Sequence, residues 1–236
     1  MNALALVLLL QSQVLDEGTF IVREDTVEVA REAFRLSAGR IGHGEAGWTL
    51  TITSRYDRVR PIITIAPILQ VCCDTVPYAL QYSVAGGREP VRILGQLGGG
   101  RFTVRFVTPA SERAREFPGN GPTVVLDDSV FAFYTFVAWR AGPQRVTVTA
   151  IVARGLRRES LVVEDHGATP GPDSSASPVP PAPQGPGASR AGPMRRHVTV
   201  TGGPNGVVHL WLDSNNRLMR IEIPSRRLTV ERAQSG

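Results

Sequence analysis

Hydrophobic and polar residues alternate with period two along most of the chain. Between Val27 and Leu36 one set of alternate positions holds Val27, Val29, Arg31, Ala33 and Arg35, and the other holds Glu28, Ala30, Glu32, Phe34 and Leu36. VEVAREAFRL also fits one helix, but turn signals on both sides favour a strand. The same pattern predicts strands over Gly18 to Arg23, Trp48 to Tyr56, Ile62 to Cys73, Tyr78 to Val84, Val91 to Leu97, Arg101 to Val107 and Glu112 to Phe117. Pro67, inside the run from Ile62 to Cys73, marks an edge or a bulge because proline cannot donate to a ladder. Gly86-Gly87, Gly98-Gly99-Gly100 and Pro118-Gly119-Asn120-Gly121 punctuate hairpins. Regular strands, tight turns and no crossover helices predict an antiparallel meander.

One segment breaks the alternation. From Asp127 the chain reads DDSVFAFYTFVAWR, with Phe131, Phe133, Tyr134, Phe136 and Trp139 contributing five of fifteen aromatic residues. Asp127 or Asp128 could cap a helix here, and Arg140 with Gly142-Pro143 could stop it. Such a helix is apolar on every side and must be enclosed, lying across the concave face of a curved sheet. A buried strand is the competing reading.

Strands resume at Gln144 to Arg154 and Arg157 to Glu164, and the composition then shifts. Ala168 to Pro193 holds a single strand-forming aliphatic, Val179, and predicts a disordered loop. Four more strands follow, Arg196 to Thr201, Val207 to Asp213, Leu218 to Ile223 and Arg227 to Arg232. The 43 residues from Met194 are too few to hold a core alone, so residues 14–236 are expected to form a single β-rich domain interrupted by the Pro-rich loop at 168–193. Ahead of it, residues 1–13 read as a signal peptide, with an apolar block from Ala3 to Leu10. An apolar first strand is the alternative. Export implies a periplasmic or secreted protein of a bacterial envelope. The block is well short of the roughly 20 residues that span a bilayer, so no transmembrane segment is expected.

Composition removes several chemistries. All 26 basic residues are arginine, which excludes a Schiff base, a P-loop and any other mechanism that needs lysine. The net charge of +5 invites a nucleic-acid reading, but the arginines are dispersed and lack a stacking platform, so no nucleic-acid partner is expected. Gly42 to Gly47 matches G-x-G-x-x-G by letters, yet a strand follows it where a nucleotide site needs a helix. Adjacent Cys72 and Cys73 on a strand would face opposite ways and cannot form an ordinary bridge; what role they have is open. His43, His166, His197 and His209 show no metal-ligand spacing, although His197 and His209 could meet across paired strands. No nucleophile, base and orienting group can be assembled, so no enzyme, metal or cofactor is implied.

The last strands, HLWLDSNNRLMRIEIPSRRLTVER, combine an aromatic-bearing strand, an Asp turn and R-L-x-R-I-x-I-P. This pattern resembles the C-terminal signature of uncharacterised bacterial envelope proteins with a half-barrel fold like that of the outer-membrane lipoprotein carriers. Leu126-Asp127-Asp128-Ser129 and Arg101-Phe102 are also similar to that family, and the likeness runs from Gly18 to Arg232. It implies a mainly β fold, a curved antiparallel sheet cupping an apolar groove that an aromatic-rich helix partly fills. Phe131, Phe133, Tyr134, Phe136, Trp139 and Trp211 are then groove candidates for binding a lipid or other apolar ligand. The alternative is an interaction or scaffold module with a filled core and an envelope protein partner.

Overall fold

The alternating segments fold as strands because each presents an apolar face to one shared core. The computed structural model describes residues 12–42, 44–87, 89–171, 194–203 and 205–233. In chain order the strands are β1 (Gln13–Glu24), β2 (Val27–Ile41), β3 (Glu45–Tyr56), β4 (Ile63–Val71), β5 (Pro77–Ala85), β6 (Val91–Gly98), β7 (Arg101–Val107), β8 (Glu112–Pro118) and β9 (Thr123–Leu126). After the helix α1 (Tyr134–Trp139) come β10 (Val146–Val152), β11 (Arg157–Pro170), β12 (Met194–Gly202), β13 (Val208–Leu212), β14 (Leu218–Ile223) and β15 (Leu228–Arg232).

All fifteen strands belong to one curved, unclosed sheet with the order β8-β7-β6-β5-β4-β3-β2-β1-β15-β14-β13-β12-β11-β10-β9. The first and last strands pair antiparallel in its middle, with Phe20 opposite Arg232 and Glu24 opposite Leu228. Its two edges, β8 and β9, are consecutive in sequence. Every pair is antiparallel except β9 with β10, which run parallel. A parallel pair needs a connection that travels back along the sheet. Here that connection carries the aromatic segment, and residues 130–138 are all buried in the core that lines the concave side. The helix is apolar all round because it is enclosed all round.

On the convex side arginines pair with carboxylates on neighbouring strands, as Arg101 with Glu116 at 2.7 Å, Arg105 with Glu112 at 2.7 Å and Arg145 with Glu164 at 2.7 Å. Such exposed pairs are each worth well under about 1 kcal/mol.

Several expectations change. Pro67 lies on an interior strand, between β3 and β5, and is neither at an edge nor in a bulge. The β3–β4 ladder skips from Thr51–Ile68 to Ser54–Ile65, so the proline's missing donor falls in a gap in pairing, while its other side pairs with Tyr82. β9 was not anticipated: four residues, TVVL, are too few to show a period. β1 begins at Gln13 and not at Gly18. Ala168 to Pro170 belong to β11 and pair with Met194 to Arg196, so the Pro-rich stretch joins two neighbouring strands of the sheet. Cys72 follows the end of β4, and Cys73 opens a one-turn 3-10 helix, Cys73–Thr75, so the two cysteines do not share a strand. Residues 1–11 of the expected leader, and 172–193 of the Pro-rich stretch, lie outside the described residues. Among the described residues no helix is long and apolar enough to cross a membrane.

Phe133 has no exposed surface and stands in the segment around which the sheet wraps. Phe133→Ala is expected to cost about 3–5 kcal/mol, read from the midpoint of urea unfolding. A loss below about 1 kcal/mol would mean that the sheet does not depend on its filling.

Candidate functional site

A segment forced through an apolar concavity brings backbone N–H groups that must find acceptors there. β2 supplies one. Glu32 points inward between Ala30 and Phe34 and is completely buried. Its carboxylate accepts the backbone N–H of Phe131 at 3.0 Å and of Ala132 at 2.6 Å, and the hydroxyl of Ser54, its cross-strand neighbour on β3, at 2.6 Å. Burial raises the Glu32 pKa from 4.5 to about 7, against the pull of these donors.

A second anchor holds the turn ahead of the helix. Asp127, also buried, receives a bidentate pair from Arg154 at 2.7 Å and 2.7 Å and the backbone N–H of Ser129 at 2.8 Å. The Ser129 carbonyl accepts the Tyr56 hydroxyl at 2.8 Å. Asp127 and Asp128 were expected to cap the helix, but α1 starts later, after Phe133, with no side-chain cap. Asp127 closes a turn and neutralises an arginine instead.

The six groove candidates separate into two places. Phe131, Phe133, Tyr134 and Phe136 are core side chains with at most 3% of their surface exposed. The Tyr134 hydroxyl accepts from Asn205 Nδ2 at 3.1 Å, and burial pushes its pKa up to about 12. Trp139, half-buried at the end of α1, meets Phe136 and Trp48 edge to face, both at 5.5 Å between ring centroids. Trp211 is on the other side of the sheet. Its neighbours Leu210 and Leu212 face the core, so strand alternation turns Trp211 to the convex face.

Open space lies at the end of the barrel above the Asp127 turn. A cavity of about 580 Å³ is lined by Glu24, Val27, Val29, Tyr56, Arg58, Val59, Arg226 and Leu228. Leu228, Glu24 and Val27 form one cross-strand row on β15, β1 and β2. The register slips between the pairs Val22–Ala30 and Arg23–Glu28, which leaves Val29 as an extra residue. Bulges of this kind re-aim side chains, and here Val29 turns toward the cavity. Arg58 and Val59 come from the loop after β3, and Arg226 from a single 3-10 turn, Pro224–Arg226, before β15. The exposed residues Glu24, Val27, Arg58, Val59 and Arg226 form the rim, and Val29, Tyr56 and Leu228 lie deeper. None of the six groove candidates lines it. The sequence signal for it was weak, because three separate turns supply its wall.

Three of the four histidines converge on the convex face. His197 Nε2 and His209 Nδ1 are 3.1 Å apart, with ring planes inclined by 15° and centroids 5.3 Å apart, the geometry of two imidazoles meeting edge to edge through one proton. His166 stacks on His197 at 5.0 Å and Trp211 on its other flank at 5.0 Å. Burial, then the neighbouring His209 and His166, hold the His197 pKa below its usual value. Among the described residues no three His, Cys, Asp or Glu side chains are placed to hold a metal ion.

Glu32 has a measurable signature. Its folded pKa lies above its unfolded one, so its contribution is fully present below about pH 4.5 and is lost as pH rises through about 7. Relative to wild type, Glu32→Gln is therefore expected to gain stability across that window by up to about 3 kcal/mol, measured by urea unfolding at a series of pH values. A difference that stays flat or runs the other way would show the carboxylate is held as an anion by its three donors.

No family model matches the chain, and no curated protein matches it. Among solved structures it is similar to the crystal structure of a β-barrel-like protein of a domain of unknown function, DUF1849, from Brucella abortus. The identity is 12%, the TM-score 0.49, and the match covers 92% of this chain and 95% of that one.

Proposed function

We propose that the protein is a non-enzymatic binding protein of the bacterial envelope that holds a lipid-class ligand in the cavity above the Asp127 turn. One observation carries this reading: a cavity of about 580 Å³, within the roughly 300–1,000 Å³ of small-ligand sites, with apolar depth and valines left exposed at its rim. Val27 and Val59 keep 39% and 43% of their surface in solvent. Covering them and Val29 with methylenes is worth roughly 0.8 kcal/mol per CH₂ buried, so a chain of several carbons binds without polar recognition. The apolar block at Ala3 to Leu10 supports export, and the curved sheet is the shape expected of the envelope half-barrels. The ligand sits over the aromatic segment and not among its rings, which are packed against the sheet.

The filled concavity is also what an interaction module would have. That reading is supported less by the sheet edge, because β8 exposes Glu112, Arg113, Arg115 and Glu116, the charged dressing that discourages strand addition.

An uncharged naphthylamine probe whose emission rises in apolar surroundings is expected to bind the protein saturably at one site. Val29→Asp, which places a carboxylate against the cavity wall, is expected to weaken it at least about tenfold, the effect of a 1.4 kcal/mol loss, while leaving thermal unfolding cooperative. Absence of saturable binding to the wild type rejects the cavity as a ligand site.

A further inference from the structure

We propose that the ligand is an anionic amphiphile whose carboxylate or phosphate ester is gripped by Arg58 and Arg226 at the rim of this cavity; the inference rests on the cavity reading above. The rim is where an amphiphile's head must lie, because Val29, Tyr56 and Leu228 make the deeper part apolar while Arg58 and Arg226 are exposed.

Both arginines are aimed without being neutralised. Arg58 donates its Nε to the Glu28 carbonyl at 2.8 Å. Arg226 donates Nη1 to the Asp128 carbonyl at 2.7 Å and to Asn205 Oδ1 at 3.3 Å. Backbone carbonyls fix the direction of each side chain but take none of its charge. The Nη groups of Arg58, and Nε and Nη2 of Arg226, are left to donate. Adjacent arginines behave differently: Arg227 pairs with Asp25 at 3.2 Å and Arg55 with Asp57 at 2.5 Å. Among the described residues neither Arg58 nor Arg226 has a carboxylate within 4.0 Å.

Glu24 is the one opposing charge on the lining, so two cations face one anion and the rim is net positive. A guanidinium offers paired N–H groups that match a carboxylate or phosphate in two-point contact. A neutral head, such as an alcohol, would leave that match unused. The tail then descends past Val27 and Val59 onto Leu228, and the head stays in water-accessible reach of both arginines.

The experiment is displacement of the uncharged probe from the full chain by oleate, oleyl alcohol, lysophosphatidic acid and inorganic phosphate. Oleate and lysophosphatidic acid are expected to compete at least about tenfold better than oleyl alcohol, with the ratio shrinking as salt is raised. In the double variant Arg58→Gln, Arg226→Gln, the acids are expected to fall to the level of the alcohol, with competition by the alcohol unchanged and thermal unfolding still cooperative. Arg58→Lys, Arg226→Lys keeps the charge and is expected to retain part of the preference. Equal competition by acid and alcohol, or a preference that survives the glutamine variant, overturns the proposal. So does inorganic phosphate that saturates the arginine pair as tightly as lysophosphatidic acid, which would make the site one for a free oxyanion. If the probe itself binds nowhere, the cavity reading falls and this inference with it.

Discussion

A carboxylate buried beneath an apolar sheet is costly, and Glu32 offsets part of that cost by accepting donors that would otherwise go unmet. The chain threads its aromatic segment through the concavity to join two parallel strands. Phe131 and Ala132 begin that passage before any helical hydrogen bond can serve them, and their N–H groups would otherwise stay unmet in the core. An unmet buried donor costs about 1–3 kcal/mol. One side chain on β2 answers two such donors and a neighbouring hydroxyl together. The position of the segment, and hence the filling of the barrel, follows from that arrangement and from the Asp127–Arg154 pair beside it.

Filling decides where open space remains. A half-barrel with an empty concavity would take a ligand against its inner wall, among aromatics. Here the protein supplies its own occupant, and the remaining apolar space is displaced to the end of the barrel. The bulge at Val29 and the loop carrying Val59 build a shallow cup there. Tyr56 and Arg226 belong to its lining and also hold the Asp127 turn below, through the carbonyls of Ser129 and Asp128. The floor and the walls of the cup are therefore mechanically one piece.

Most strands were legible because one face of each is buried and the other is not, which writes period two into the sequence. The enclosed helix was legible from its uniform apolarity, although its start was not, since the capping aspartates serve a turn. His197 and His209 were legible as a pair on adjoining strands, while His166 was not, because its strand had been ended two residues before it. Glu32 carried a signal that went unread: it shares its alternate positions with Ala30, Phe34 and Leu36, the inward set. Trp211 illustrates the same rule, being flanked by two core leucines. The cavity could not be read, because its lining comes from turns far apart in sequence whose meeting depends on the curvature of the whole sheet.

The pairing of β1 with β15 sets the order in which the molecule can be assembled. Residues more than two hundred apart, such as Phe20 and Arg232, must meet in the middle of the sheet. Strands β1 to β8 can zip together by local hairpins, yet β1 then keeps the backbone edge that meets β15 unpaired until the final strand arrives. The slowest contacts are thus the central ones, and an open strand edge persists in the middle of the sheet until they form. A protein with this topology makes a long demand on whatever guards unfinished chains.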